Sequence, residues 1–360
     1  MVRHAEVRLQ FHQSPTSSAS FTGSFAMNAV VNLPDVKDTD ASQINPAREL
    51  ESCNHLLGNR EALEKFYEAN GYLLFRQVLD LESVAEARRG MFKVMAKYGL
   101  IAADAVNGTE AVWAGGSFPP STGIIGMEES PEFSGISNKL INHPGNAKIL
   151  EQVLGEPASP IPIVQYRCYI PGSHNGMVHQ DGFYSPGIKN YKPVWITLTN
   201  CEREVGGLMI AVGQNRRGYL HNLAKSAPFP IPDGMIPADS WATTDYYPGD
   251  LLIVHPSTPH VGGANRSKRC RVTLDTRVQS AADPRVLLGT ASAVEPGVLT
   301  LKQDDGTVRR FNVPADIFIR YPDPAARPGS ELVKWVNVGA RLVVVFDGDK
   351  ATMIRKASEG

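Results

Sequence analysis

Two histidines and one carboxylate of this chain are spaced so that they could share one metal ion. His179 and Asp181 lie two residues apart, and His260 follows the turn and apolar run of residues 247–259. If residues 176–184 form a strand, the side chains of His179 and Asp181 leave the same face. A set of His, carboxylate and His is the facial triad of non-haem Fe(II) oxygenases, which leaves positions open for a cosubstrate and O₂. Zinc hydrolases use the same ligand types, so the ligands alone leave both classes open.

An arginine that could bind an anion, Arg271, lies eleven residues after His260. Arg271 begins the alternating run Arg-Val-Thr-Leu-Asp-Thr-Arg277. On a strand, Arg271, Thr273, Asp275 and Arg277 lie on one face, and a polar inner face predicts a ligand cavity. A guanidinium there could bind the far carboxylate of a dicarboxylic cosubstrate through two hydrogen bonds. We expect Asp275 and Arg277 to contribute to the substrate part of the cavity; the alternative is that arginines of this cluster face solvent.

The elements that must position these residues are mostly strands. Runs of apolar and alternating residues predict strands at residues 161–170, 176–184, 193–201, 207–212, 250–254 and 270–278. Turns rich in Gly, Pro and Asn join them, a pattern typical of a sandwich or jelly-roll barrel. Before them, the spacing of apolar residues predicts short helices at residues 48–52 and 60–67, a strand at 72–79, a helix from 80 to about 98 and a helix at 146–154.

The two ends of the chain and two internal stretches differ in composition from these predicted helices and strands. Residues 1–46 are rich in Ser, Thr, Ala and Asn, which predicts a disordered tail, with Met27 as an alternative start. The irregular stretches 103–135 and 214–247 predict mobile covers over a site. Residues 283–360 contain short alternating runs around Asp-Gly turns, which predicts a small β-rich C-terminal extension. The main domain is therefore expected at residues 47–282.

Composition limits the classes of function. A net charge of -1 gives no general attraction to nucleic acid or to an anionic membrane, so neither partner is expected. No apolar run approaches the roughly 20 residues that span a bilayer. The four cysteines are far apart and form no C-x-x-C pair, which favours a reducing compartment and a cytoplasmic location.

Several of these features together resemble the phytanoyl-CoA dioxygenase family of Fe(II)/2-oxoglutarate-dependent oxygenases. The features are the His-Gln-Asp of residues 179–181, the Gly-Asp-x-x-x-x-His-Pro-x-x-x-His pattern of residues 249–260, the arginine at position 271 and the segment 66–79. The resemblance covers about residues 60 to 280.

The resemblance implies a fold and a set of site residues. The fold is mainly β with flanking helices, a double-stranded β-helix of the jelly-roll, cupin-like kind, here with a small C-terminal β unit. His179, Asp181 and His260 would bind Fe(II), and Arg271 would bind the C5 carboxylate of 2-oxoglutarate. Trp195 matches a family position near the cosubstrate, although a core aromatic is an equal alternative.

Three further residues are expected near the same ligands. Gln165 lies on the strand that leads to the metal motif and is expected to line the pocket, unless it makes a cross-strand hydrogen bond. Phe183 and Tyr184, just after the metal motif, are expected to face the substrate, with ordinary packing as the alternative for one of them.

The implied reaction consumes 2-oxoglutarate and O₂, releases succinate and CO₂, and oxidises a small organic molecule, most simply by hydroxylation, in secondary metabolism. Asp181 favours hydroxylation over halogenation, because halogenating relatives replace this carboxylate with a small residue. Two alternatives remain: a non-catalytic metal- or ligand-binding β-barrel, and a zinc or manganese enzyme of cupin type, which the chain's lack of a His-x-His pair disfavours. A homodimer is left open.

Overall fold

A computed structural model of the chain describes residues 31–33, 35–117, 133, 135–174, 176–185, 188, 190–225, 229–322 and 326–357. The α-helices are α1 (Arg60–Asn70), α2 (Leu81–Lys97), α3 (Ile136–Asn142), α4 (Pro144–Leu154), α5 (Asp181–Tyr184) and α6 (Leu332–Trp335). The strands of the first 280 residues are β1 (Arg48–Glu49), β2 (Tyr72–Phe75), β3 (Ala158–Tyr169), β4 (Lys192–Thr197), β5 (Leu208–Ala211), β6 (Trp241–Thr243), β7 (Leu251–Val254), β8 (His260–Gly262) and β9 (Arg271–Ser280). Those that follow are β10 (Val286–Glu295), β11 (Val298–Lys302), β12 (Val308–Asn312), β13 (Phe318–Arg320), β14 (Arg327–Pro328), β15 (Arg341–Asp347) and β16 (Lys350–Lys356).

The long helix α2 begins where the sequence predicts it. The side chain of Asp80 accepts a hydrogen bond from the backbone N–H of Ser83 at 2.7 Å, which satisfies a donor that the helix itself leaves free. Val84, Met91 and Met95 are buried on one face of α2 and pack in the main apolar cluster. The helix thus covers the outer side of the large sheet.

The β-rich part consists of two sheets that share a core. The larger sheet has the order β2-β7-β4-β9-β3, and the smaller one has the order β1-β6-β5-β8. Trp195 and Leu252 of the larger sheet pack in one cluster with Ile210 and Ala242 of the smaller sheet. Two facing sheets with this crossover order form a double-stranded β-helix, so the predicted jelly-roll class is confirmed.

Two predicted elements are wrong. Residues 48–52 do not form a helix, because Arg48 and Glu49 pair in parallel with Ala242 and Thr243 of β6. Residues 176–184 do not form a strand: only His179 makes a β-bridge, and the chain then turns into the short helix α5. The pairing partners in both cases lie far away in sequence, so the local pattern does not contain them.

The C-terminal strands form their own sheet, in the order β12-β11-β10-β15-β16-β13-β14, and β12 also pairs with β16. The strands on either side of the Asp305-Gly306 and Asp347-Gly348 turns pair as hairpins, with Lys302 opposite Val308 and Asp347 opposite Lys350. The sheet encloses an apolar cluster that includes Phe311.

The C-terminal sheet also packs against the jelly roll. Val343 and Met353 of this sheet lie in one buried cluster with Ile161 and Tyr191 of the first 280 residues. The two parts are therefore joined by an apolar interface.

The regions predicted to be irregular are only partly described. Residues 1–30 of the predicted tail lie outside the described residues, and so do 118–132 and 134 of the first predicted cover. Residues 35–46 are not a disordered tail, because the hydroxyl of Thr39 donates to the carbonyl of Ile231 at 2.9 Å and Ala41 is buried. The second predicted cover, 214–247, contains β6 and so belongs partly to the smaller sheet. No helix among the described residues is long and apolar enough to cross a bilayer.

Candidate active site

The backbone brings His179 and His260 together. The N–H of His179 donates to the carbonyl of His260 at 3.1 Å, and the N–H of His260 donates to the carbonyl of His179 at 3.0 Å. His260 begins β8, which the pairing with β5 holds in the smaller sheet. This exchange places both imidazoles side by side, with ring centroids 4.3 Å apart.

Asp181 completes a compact set of three ligands. Its Oδ1 lies 3.6 Å from Nε2 of His179 and 3.9 Å from Nε2 of His260. One ligand atom from each residue lies within 4.8 Å of the others. The predicted triad is thus assembled, although by a bridge and a helical turn and not by alternation along one strand.

The hydrogen bonds of the two imidazoles leave the same nitrogen free for a metal. Nδ1 of His179 lies 2.9 Å from the carbonyl of Met177, and Nδ1 of His260 lies 3.0 Å from the carbonyl of Thr258. A carbonyl only accepts, so Nδ1 carries the proton in both rings. Nε2 then presents a lone pair toward Asp181, as a metal-ligating imidazole requires.

The charges of the triad also suit a metal ion. Burial alone would raise the pKa of the Asp181 carboxyl, but the Arg277 guanidinium and the two imidazoles hold this pKa well below its usual range. Burial and the neighbouring His179 lower the pKa of His260 to about 4. At neutral pH the site therefore holds a carboxylate and a neutral His260, both able to bind a cation.

A cavity of about 280 Å³ opens beside the triad, between the two sheets. One wall is apolar and includes Trp195, Leu208 and Val254. The polar side chains of the lining come from β3 and β9, next to Trp195 in the same sheet, and are listed here: Gln165, Arg167, Tyr169, Arg271, Thr273, Asp275 and Arg277. The predicted alternation of β9 is thus found, and its polar residues face the cavity.

Arg271 is held rigidly at one end of the β9 row. It is 5% exposed, and its Nη1 donates to the carbonyls of Gly206 and Gly263. Its guanidinium carbon lies 4.1 Å from the ring centroid of Tyr169. A side chain at Gly262 would come within 2.9 Å of Nη2, so this glycine permits the close approach. The buried Nε has no hydrogen-bond partner among the described residues.

Asp275 is engaged by a residue that sequence reasoning missed. Its Oδ2 accepts from Nε of Arg167 at 2.9 Å, and Nη2 of Arg167 donates to Gln165 at 2.7 Å. Gln165 lines the cavity, and its hydrogen bond with Arg167 lies within β3 and does not cross to another strand. Arg167 lies two residues after Gln165 on the same face of β3, so alternation along this strand would have identified it.

The aromatic residues are divided between the cavity and the surrounding core. Trp195 lines the cavity and also packs edge-on against Tyr246, with ring centroids 4.8 Å apart. Phe183 and Tyr184 are absent from the described lining. Phe183 stacks on His221 with ring centroids 4.0 Å apart, which is the packing contact given as the alternative for one of these two residues.

Gln180, which lies between His179 and Asp181 in the sequence, has a structural role. Gln180 is fully buried, and its backbone N–H donates to Nε2 of His221 at 3.2 Å. Burial lowers the pKa of His221 to about 4, so this imidazole is a neutral acceptor at neutral pH. Neither residue carries a signal of its function in the sequence alone, because their partners come from a different loop.

The sequence of the chain matches known proteins over its central part. Residues 67–273 match the phytanoyl-CoA dioxygenase (PhyH) family. A 1-deoxypentalenic acid 11-beta-hydroxylase from Streptomyces exfoliatus is 30% identical over 253 residues, which cover 65% of this chain and 86% of that protein. The protein of the same name from Streptomyces arenae is 31% identical over 252 residues, with the same coverage.

Solved structures with a similar fold share less sequence. EctD from S. alaskensis, with 2-oxoglutarate and 5-hydroxyectoine, has a TM-score of 0.48 and 13% identity, and the match covers 71% of this chain and 87% of EctD. The epimerase SnoN, in complex with Fe3+, alpha ketoglutarate and nogalamycin RO, has a TM-score of 0.45 and 18% identity, with 82% and 98% coverage.

Proposed function

This chain belongs to the phytanoyl-CoA dioxygenase family, and we propose that its Fe(II) is bound by His179, Asp181 and His260 and its 2-oxoglutarate by Arg271. The chain is a non-haem Fe(II)- and 2-oxoglutarate-dependent dioxygenase that hydroxylates a small molecule in secondary metabolism. The observation that carries the residue assignment is the convergence of two Nε2 atoms and one carboxylate beside a cavity that also contains a buried, partly unpaired arginine.

The donor set fits the two ligands that the family requires. Two imidazoles and one carboxylate suit a divalent iron and leave room for further ligands. The planar guanidinium of Arg271 suits the far carboxylate of a dicarboxylic acid, because it can donate two parallel hydrogen bonds. When bound, iron and 2-oxoglutarate would let O₂ act as the oxidant of a substrate C–H bond, with 2-oxoglutarate oxidised to succinate and CO₂ in the same reaction.

The other lining residues would orient the ligands and exclude water. Arg271 is fixed by carbonyls and by the Tyr169 ring, so it can bind a carboxylate with little loss of side-chain entropy. The Arg167–Asp275 pair keeps Gln165 turned into the polar wall. Trp195 closes the apolar side, where the hydrocarbon part of a substrate would lie.

The family and the hydroxylase name of the curated relatives support a small organic substrate. We further propose that residues 47–282 form the oxygenase domain and residues 283–360 a C-terminal extension, and that the protein acts in the cytoplasm. The four cysteines are all buried free thiols, which is consistent with a reducing compartment.

The decisive experiment adds Fe(II) and 2-oxoglutarate without O₂ and records the visible metal-to-cosubstrate charge-transfer absorption. We expect a band in the wild type, and weaker bands in Asp181→Ala and Arg271→Ala. Arg310→Ala, at a side chain that is 65% exposed in the C-terminal sheet, serves as the matched control. Absence of the band in folded, iron-loaded wild type would instead favour a non-catalytic binding protein.

A further inference from the structure

The charged side chains that line the described part of the cavity do not balance one another. They are three arginines, Arg167, Arg271 and Arg277, and two aspartates, Asp181 and Asp275. A buried charge is stable only when a counter-charge or hydrogen bonds compensate for its lost hydration. Each of the three guanidiniums therefore needs an assigned partner.

Two of the three arginines, Arg167 and Arg271, can be assigned a counter-charge. Arg167 and Asp275 form an ion pair with a 2.9 Å contact, so together they are neutral. On the proposed function, the cosubstrate's two carboxylates and Asp181 together balance the divalent iron and Arg271. The positive charge that remains is that of Arg277.

Arg277 is built into the wall with its charge only partly satisfied. It is 7% exposed, and its Nη1 donates to the carbonyl of Ile163 at 3.1 Å. Its Nη2 lies 3.8 Å from Oδ1 of Asp181, which is beyond hydrogen-bond distance, and Asp181 is needed by the metal. Its buried Nε has no hydrogen-bond partner among the described residues.

The position of Arg277 separates it from the cosubstrate's arginine. Arg271 and Arg277 lie at opposite ends of the inward-facing row of β9, with Thr273 and Asp275 between them. Arg271 lies beside Gly262, whereas the acidic neighbour of Arg277 is Asp181. The row thus offers two separate anion-binding ends, beside one shared apolar wall.

We propose that Arg277 binds a carboxylate of the primary substrate, so that the enzyme selects small monoanionic acids with an apolar body. This inference rests on the proposed function, because it assigns Arg271 to 2-oxoglutarate. The acid's single negative charge matches the one guanidinium left without a counter-charge. The apolar wall with Trp195, Leu208 and Val254 then contacts the hydrocarbon part.

The test uses full-length protein loaded with Fe(II) and saturating 2-oxoglutarate in the absence of O₂. The charge-transfer band is recorded first, since its absence would contradict the proposed function and not this inference. Cyclohexanecarboxylate, 2-decalincarboxylate and their neutral carboxamides are then titrated by calorimetry. We expect at least one acid to bind at least tenfold more tightly than its amide.

Substitutions identify the residue responsible. Arg277→Gln should remove the preference for the acid, Arg277→Lys should restore part of it, and the exposed Arg310→Gln should retain it. The affinity for 2-oxoglutarate should stay within about twofold in Arg277→Gln. Thermal unfolding checks that each variant is folded, and the lysine variant tests the charge if the glutamine variant does not fold.

Three results would overturn the inference in protein that shows the band. The first is equal or undetectable binding of all the acids and amides to the wild type. The second is an unchanged preference for the acid in Arg277→Gln. The third is an equal loss of acid and 2-oxoglutarate affinity in that variant, which would assign Arg277 to the cosubstrate.

Discussion

The side-chain amide of Gln180 donates a hydrogen bond to the carbonyl oxygen of Ser257 at 2.7 Å. The same amide nitrogen donates to the carbonyl of Gly218 at 2.8 Å, and the amide oxygen accepts from the N–H of Leu220 at 2.7 Å. Gln180 is fully buried, so these bonds are protected from water. The Gln180 side chain therefore holds the segment that contains His179 and Asp181 against the turn that precedes His260.

Replacing Gln180 with methionine should weaken metal binding. The substitution keeps the length of the side chain but removes all three hydrogen bonds. We expect Fe(II) affinity to fall by about 10- to 100-fold, because groups around metal ligands contribute at this level. Each backbone group left unpaired should lower the free energy of unfolding by about 1–3 kcal/mol. Anaerobic Fe(II) titration and chemical unfolding measure the two effects.

The control for this substitution is Gln43→Met, at an exposed position. If Gln180→Met bound Fe(II) as tightly as the wild type, Gln180 would not position the ligands.

Replacing Arg271 with lysine should weaken 2-oxoglutarate binding although the charge is kept. Lysine cannot donate two parallel hydrogen bonds or stack in the same way on Tyr169. A lost charge-assisted hydrogen bond amounts to about 1.5–3 kcal/mol, which corresponds to about 10- to 150-fold in Kd. Titration of the charge-transfer band with 2-oxoglutarate measures Kd, and Arg310→Lys is the control. An unchanged Kd would show that another group binds the far carboxylate.

Acidification should destabilise the metal-free protein partly through His255. Burial, together with the Lys192 ammonium, lowers the pKa of His255 to about 4, and its Nδ1 accepts from the N–H of Ser257 at 3.1 Å. An ordinary histidine titrates near pH 6.5, so between pH 6.5 and 4 the unfolded chain takes up a proton that the folded chain does not. The contribution is complete above pH 6.5 and is lost as the pH falls to about 4.

In His255→Gln, the slope of the unfolding free energy against pH over this range should be smaller, by at most about 1.4 kcal/mol per pH unit. Urea unfolding at several pH values measures the slope. Some slope should remain, since the pKa of His221 and His260 is also about 4. His55→Gln, at an exposed position, is the control, and a wild-type slope in His255→Gln would refute the assignment.

The interface between the jelly roll and the C-terminal sheet should contribute strongly to stability. Met353 is 3% exposed and packs in the cluster with Ile161 and Tyr191. Met353→Ala should lower the free energy of unfolding by about 2–5 kcal/mol, because it leaves a cavity in this cluster. Val338→Ala, at a side chain that is 66% exposed, should have little effect. Equal unfolding curves for both variants would show that the interface is loosely packed.

The cluster of the three proposed metal ligands could be predicted from the sequence, but the way in which the backbone brings them together could not. The types and spacing of His179, Asp181 and His260 indicate a shared ion whether or not a strand carries the first two. The local pattern around them alternates as a strand does. The chain turns nevertheless, because the N–H of Gly182 donates to the carbonyl of Pro256 at 2.8 Å, a partner from a distant segment.

The alternation of polar and apolar residues predicted the inward-facing side chains of β9 better than those of the other strands. The inward row from Arg271 to Arg277 follows directly from a period of two on a long, regular strand. The pairing of Asp275 with Arg167 was not predicted, because it depends on the register between β3 and β9. Phe183 was assigned to the substrate from its closeness to Asp181 in sequence, whereas its stacking partner His221 comes from a loop about 40 residues later.

The paired backbone hydrogen bonds between His179 and His260 have a consequence for the binding of iron. Because the polypeptide itself holds the two imidazoles at one distance, the ion is not needed to assemble them. Protein made without iron would therefore already present both proposed imidazole ligands, and Fe(II) could bind without bringing them together first. Reversible removal of iron by a chelator, with full recovery on reloading, is the behaviour that such a preorganised site supports.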